Sequence, residues 1–306
     1  MRSLGSIWGV VLCLLAGVAV AGDTEHYVNG VEGLKCASVP PPGIYFRNYE
    51  VWYHATQVKD PNGDNLFIPD PGTRPGFKVD VLATVNRGIW VTDKIKDYIG
   101  CDYGVHGLVP VISEHLEMSR LGVDDTSTGV GDLMFSPVLL SWHKKRFDLS
   151  FDYELYIPTG DRHQPRNLAS LGKEFWTNLF TFGGTVYMDE KKTWTFSLLS
   201  RYEIHSEQHN THVTPGNDFH FEWGVGKAFK EGFEVGPVGY CQWRVTNDTG
   251  PGATEFSRNR VYAAGVEGNY MIKSIGLGVV LRWEREFAAR NRSEGMITTL
   301  NFNKRF

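Results

Sequence analysis

Through most of the chain apolar and polar residues alternate with period two, the pattern of a strand with one face in an apolar setting and the other in a polar one. In Phe147–Ile157, Phe147, Leu149, Phe151, Tyr153, Leu155 and Ile157 alternate with Asp148, Ser150, Asp152, Glu154 and Tyr156. Phe219, Phe221, Trp223 and Val225 likewise alternate with Asp218, His220, Glu222 and Gly224, and Ile275, Leu277, Val279, Leu281 and Trp283 with Gly276, Gly278, Arg282 and Glu284. No long segment carries a helical period. The alternation predicts twelve strands, over 44–58, 77–92, 98–116, 130–143, 147–159, 175–188, 193–206, 218–229, 233–247, 258–270, 274–288 and 294–306.

The connections between these strands fall into two alternating sets. Residues 59–76, 117–129, 160–174, 207–217 and 248–257 form long loops, with 289–293 a short member of the same set. Residues 93–97, 144–146, 189–192, 230–232 and 271–273 form turns. A soluble sandwich produces the same alternation but has no reason to segregate its loops. An even strand number with turns on one side and loops on the other is the organisation of an all-β, transmembrane, antiparallel up-and-down β-barrel of the outer membrane, turns periplasmic. Each strand exceeds the roughly 9–11 tilted residues that cross a bilayer, and closure leaves no unpaired edge in hydrocarbon. Phe147, Trp194, Phe229, Phe233, Tyr270 and Phe306 fall beside the turns, as an interfacial girdle would.

Composition agrees with this reading. Glycine supplies 34 of 306 residues, well above the usual share of about 7%. A mean hydropathy of -0.27 excludes a polytopic helical membrane protein. With 31 basic against 35 acidic residues and no basic block, nucleic acid is not an expected partner.

Met1-Arg2, the apolar run 7–20 and Ala19-Val20-Ala21 read as an export signal cleaved after Ala21. Export and a barrel together predict the outer membrane of a Gram-negative bacterium. The chain then divides into a signal peptide (1–21), an N-terminal segment (22–42) and the barrel (43–306). The segment is too irregular for a strand and is either a plug in the lumen or a periplasmic tail. Cys13 leaves with the signal. Of Cys36, Cys101 and Cys241 at most two can pair; Cys36 with Cys101 is the preferred pair, three reduced thiols the alternative, and period two places Cys101 on the lipid face.

The inward set supplies the candidate pathway: Glu50, Asp80, Asp102, His106, Asp152, Glu154, Arg201, Glu203, His220, Glu222, Arg244, Glu267, Arg282 and Glu284, with Asp148, Gln242 and Glu286 beside them. A Lys or Arg facing lipid at mid-depth costs roughly 2–4 kcal/mol, so such charges belong in the lumen. There they either cross-link into ion pairs or line a water-filled path. No catalytic residue, metal ligand set or cofactor is predicted. His205, Glu207, His209 and His212 read as a solvated outer loop, Ser113 near His115 is sequence proximity only, and Asp60-Pro61-Asn62-Gly63-Asp64 lacks the distal Glu of a calcium loop.

Three motifs carry a family resemblance: Pro40-Pro41-Pro42-Gly43-Ile44-Tyr45 leading into the first strand, Gly129-Val130-Gly131-Asp132 opening the fourth, and Tyr156-Ile157-Pro158-Thr159-Gly160-Asp161 closing the fifth. With them the chain resembles, from about Gly33 to Phe306, an outer-membrane barrel family of the meta-cleavage pathway of phenol degradation, whose members are often labelled transporters. The terminal Phe306, with Phe302 and Leu300 on its face, resembles the signal read by the barrel assembly machinery, Lys304 departing from its pattern. The resemblance implies a transporter or porin-like channel for small molecules, hydrophobic aromatic compounds among them, with membrane lipid and lipopolysaccharide as surroundings. The alternatives are a structural or adhesion barrel without transport and, behind it, an outer-membrane hydrolase.

Overall fold

In the computed structural model the described residues are 25–66, 76–160, 169–229, 232–253 and 257–306. The expected signal peptide, its cleavage point and Cys13 lie outside them, as does the start of the N-terminal segment. Among the described residues the strands are β1 (Gly43–Lys59), β2 (Lys78–Thr92), β3 (Asp102–Met118), β4 (Val123–Val130), β5 (Leu133–His143), β6 (Phe147–Ile157), β7 (Thr177–Tyr187), β8 (Trp194–His205), β9 (Asp218–Ala228), β10 (Phe233–Arg244), β11 (Arg260–Ile272), β12 (Leu277–Arg290) and β13 (Arg292–Arg305). Every pairing is antiparallel between neighbours, and β1 pairs with both β2 and β13, which closes the sheet.

The wall has twelve positions, because β4 and β5 share one. β3 pairs with β4 along its outer half, Val111–Met118, and with β5 along its inner part, Asp102–Leu108. Gly131 and Asp132 interrupt the shared strand, and the Gly131 N–H turns to the Pro110 carbonyl at 3.0 Å. Proline explains a second irregularity: Pro137 cannot donate to the ladder, and the β5–β6 register shifts between Phe135 and Val138.

Strand positions agree with the alternation, with three differences. The expected loop 117–129 is a tight 3-10 turn, Ser119–Leu121, ended by left-handed Gly122 and followed by β4; the alternating Asp124, Thr126 and Thr128 are ladder residues. The third strand begins at Asp102, after a helical turn α1 (Lys96–Ile99) closed by left-handed Gly100. The connection between β12 and β13 is Asn291 alone, at φ 54°. In the β1–β2 loop Asp60 Oδ1 accepts the N–H groups of Asn62, Gly63 and Asp64, a turn rather than a cation loop. The Asp64 N–H foremost, with those of Asn62 and Gly63, holds this carboxyl below its ordinary range.

Two faces result. Phe180, Phe182, Phe196, Leu198, Leu281 and Trp283 point outward and are exposed, while Glu203, His220, Glu222, Gln242 and Thr299 point inward and are fully buried. Apolar outside and polar inside inverts a soluble protein and matches a lipid surround. Backbones come closest at the glycines: a Cβ on Gly265 would lie 1.9 Å from the Trp283 carbonyl oxygen, and one on Gly236 1.8 Å from that of Val225. We expect Gly265→Ala to destabilise the barrel by about 1–3 kcal/mol, the usual cost of overpacking. Urea unfolding in micelles, followed by tryptophan fluorescence, checks this, with Gly88→Ala as the control because its Cβ would meet nothing within 4 Å and its backbone is not left-handed.

Candidate functional site in the barrel interior

Twelve of the fourteen sequence-predicted residues face inward and are buried: Asp102, His106, Asp152, Glu154, Arg201, Glu203, His220, Glu222, Arg244, Glu267, Arg282 and Glu284. Glu50 and Asp80 do not. On β1 it is Tyr49, Val51 and Ala55 that are buried inside, so Glu50 and His54 share the outer face with the exposed Trp52. Asp80, opposite His54 in the ladder, is outward too and hydrogen-bonds its Nδ1 at 2.6 Å. Polarity misassigns these faces because the lumen here is lined by tyrosine and aliphatic side chains, and the outer face of β1 and β2 carries polar residues. Glu50 accepts the Thr84 hydroxyl at 2.7 Å beside an outward concavity of about 470 Å³ that also borders Trp52, Leu82 and Val111. The same phase error hid Arg47 and Arg87, which face inward.

The inward charges pair across strands. Arg201 bonds Glu222, Arg282 bonds Glu267, Arg244 Nη2 lies 3.5 Å from Asp218, and His106 Nε2 lies 2.7 Å from Asp152. Taking one member away strands its partner, which typically costs about 3–5 kcal/mol in a buried site.

Carboxylates outnumber arginines on this wall, and residues 25–42 supply the missing donors. This segment carries no regular structure; it turns at Gly30 (φ 77°) and Lys35 (φ 56°) and meets inward side chains along its length. Glu203 accepts the N–H groups of His26 at 2.9 Å and Tyr27 at 3.1 Å. Glu222 accepts the Tyr27 hydroxyl at 2.6 Å and the N–H groups of Gly30, Glu32 and Val31 at 2.9, 3.1 and 3.2 Å. The Arg201 guanidinium that pairs with Glu222 also lies 3.7 Å from the Tyr27 ring centroid. Further along, the Leu34 N–H reaches Glu267, Lys35 pairs with Glu234 at 2.8 Å, and the Ser38 hydroxyl donates to Asp148 at 2.8 Å. In return Glu32 stands 3.4 Å from both Arg47 and Arg87. Gly33 lies so close to the wall that a Cβ would approach Glu267 Oε2 to 2.2 Å.

Near the outer end His26 Nε2 meets Asp132 at 2.9 Å, and Asp132 also accepts the N–H groups of Gly160 and Lys173 at 2.8 and 2.7 Å. The interruption between β4 and β5 therefore joins the segment to the β6–β7 connection. His205, expected in an outer loop, ends β8 inside the barrel, while His209 and His212 are exposed. Among the described residues no disulfide forms: Cys36, Cys101 and Cys241 are free. Cys36 lies in the inner segment with Sγ 3.9 Å from the Glu222 carbonyl oxygen, and Cys101 is buried in the turn before β3, so neither the preferred pair nor the lipid-facing position of Cys101 holds.

A closed antiparallel barrel with an apolar exterior, a charged interior and turns opposite loops defines the class, an outer-membrane channel-type β-barrel. The chain belongs to the family described as "Putative MetA-pathway of phenol degradation", whose model matches residues 55–302. Its fold is similar to that of the COG4313 outer membrane channel from Pseudomonas putida F1, with a TM-score of 0.74 and 14% identity over 92% of this chain and 100% of that one. It is similar also to the translocator domain of the autotransporter NalP from Neisseria meningitidis, with a TM-score of 0.50 and 7% identity over 99% and 98% of the two chains. Among curated proteins none matches this sequence.

Replacing Glu222 by Ala removes the acceptor shared by four donors of the segment and strands Arg201. The expected result is a loosened segment, read as trypsin cleavage after Lys35 in the folded barrel at least about tenfold faster than in the wild type, a shift of about 1.4 kcal/mol in the opening equilibrium. Asp102→Asn, away from the segment, is expected to leave that rate unchanged.

Proposed function

We propose that this protein is a channel of the Gram-negative outer membrane, with residues 25–42 as a plug and the buried charges as the lining of the path it closes. The observation that carries the reading is the Glu222 carboxylate, which holds three consecutive backbone N–H groups and the Tyr27 hydroxyl. A segment held by polar contacts to the wall has a wetted alternative: on leaving, its donors and the wall carboxylates are both hydrated, which offsets part of the cost of uncovering Tyr27, Val31 and Leu34. An apolar core filling the same space would have no such exit.

The family description and the channel fold of the Pseudomonas relative support small molecules as the solutes, hydrophobic aromatic compounds among them. The mature chain begins after the signal 1–21 and works without a cofactor. We read the barrel as a channel and not as an enzyme. Its other partners are membrane lipid, lipopolysaccharide and the assembly machinery that inserts barrels.

Single-channel conductance in a planar bilayer tests the proposal, comparing the mature chain with one lacking residues 22–39. We expect the intact chain to be closed for most of the record and the shortened one to conduct steadily. Silence in both, with barrels shown to be inserted by heat-modifiable migration, would mean that the wall charges fill the lumen unaided and would sink the plug reading.

A further inference from the structure

Among the described residues two groups of side chains bring histidine and carboxylate atoms together within 4.8 Å: His26, Glu203 and His205, and His106, Asp152 and Glu154. The second is already occupied by charge, since Arg87 Nη2 stands 3.0 Å from His106 Nε2. In the first, Glu203 also pairs with His220 Nε2 at 3.0 Å, but the nitrogens of His26 and His205 meet carboxylates and one hydroxyl instead of a guanidinium. His26 Nε2 lies 2.9 Å from Asp132 Oδ2, and His205 Nε2 lies 3.2 Å from Asp218 Oδ2. An ionised carboxylate only accepts, so each Nε2 carries a proton, and in the neutral imidazole, the form that binds a metal, each Nδ1 is left with a lone pair.

Both lone pairs converge on one atom. Thr177 Oγ1 is 2.7 Å from His26 Nδ1 and 2.7 Å from His205 Nδ1. A hydroxyl has a single proton and can satisfy one of these two acceptors, so the pair holds one acceptor more than it has donors. Phe175 fixes both rings edge-on, at centroid distances of 5.0 and 5.2 Å, and Tyr156 stacks on His26 at 4.9 Å. Two imidazoles whose far nitrogens are each held by a carboxylate, converging beside a third carboxylate, is the outer-shell arrangement of metal-binding histidines.

The geometry points to a site for one zinc-class divalent transition ion held by His26, His205 and Glu203, with Asp132 and Asp218 orienting the imidazoles. Nitrogen ligands select this class over calcium or magnesium, which take oxygen shells. Thr177 bridges the two rings while the ion is absent; the ion takes over that bridge and supplies both Nδ1 lone pairs with one acceptor of electrons. Because His26 belongs to the inner segment and His205 to β8, the ion ties the segment to the wall. The site stands whether or not the segment gates a solute.

The test is a titration of the untagged, EDTA-stripped full chain in detergent micelles, with Zn²⁺ against a chromophoric chelator and Co²⁺ followed by its visible absorption. We expect one equivalent per chain, a Co²⁺ spectrum of low-coordinate nitrogen and oxygen ligation, and no competition from Ca²⁺ or Mg²⁺. His26→Gln and His205→Gln are expected to abolish stoichiometric binding, and Asp218→Asn to weaken it by about 10–100-fold. A His209→Gln/His212→Gln chain is expected to bind like the wild type. Heat-modifiable migration confirms folding; should His205→Gln fail to fold, His26→Gln, outside the wall, decides alone. Absence of one-equivalent binding by the folded wild type overturns the proposal. So does binding that survives His26→Gln and disappears from the loop variant.

Discussion

Glu222 lies wholly out of water, and an ionised carboxylate in that position needs donors for both oxygens or loses several kcal/mol of solvation. Arg201 alone supplies charge but not enough hydrogen bonds; Tyr27 and the N–H groups of Gly30, Val31 and Glu32 supply the rest. The requirement is mutual. A backbone running through the lumen without regular structure has unpaired N–H groups of its own, which the wall carboxylates accept. Barrel and segment thus complete one another's hydrogen bonding, and neither side is satisfied alone.

The same logic decides what was legible in the sequence. Strands were legible because lipid outside and charge inside impose period two, most clearly on β6, β9 and β12. The phase of β1 and β2 was not, since Tyr49, Val51 and Ala55 line the lumen there while Asn48, Glu50 and Thr84 face out, and composition no longer marks the face. Arg47 and Arg87, partners of Glu32, were lost for that reason. The path of residues 25–42 left one trace, the excess of carboxylates over arginines on the inward face, which calls for donors from elsewhere. The meeting of His26 and His205 at Thr177 left none, because it joins residues far apart in sequence through a segment with no period. The strand β4 was hidden by its polarity: Asp124, Thr126 and Thr128 alternate with other polar residues, and a wall strand extending beyond the membrane needs no apolar face.

The interruption at Gly131 and Asp132 shows how a closed sheet accommodates the segment. A continuous strand would have spent both residues on ladder bonds. Here Asp132 is released to accept from Gly160 and Lys173 and to meet His26, so one carboxylate gathers the wall, the β6–β7 connection and the segment. Any movement of the segment's outer end therefore reaches an outer connection directly, through three hydrogen bonds on one residue.

Occupation of the lumen by residues 25–42 is the claim on which this account turns, and the thiol of Cys36 reports it most directly. In a Cys101→Ser/Cys241→Ala chain, the reaction of Cys36 with a polar maleimide is timed in the folded barrel and again after unfolding in urea. Strong protection is expected in the folded barrel, lifted on unfolding. Equal rates in the two states would place the segment in free solution and contradict it.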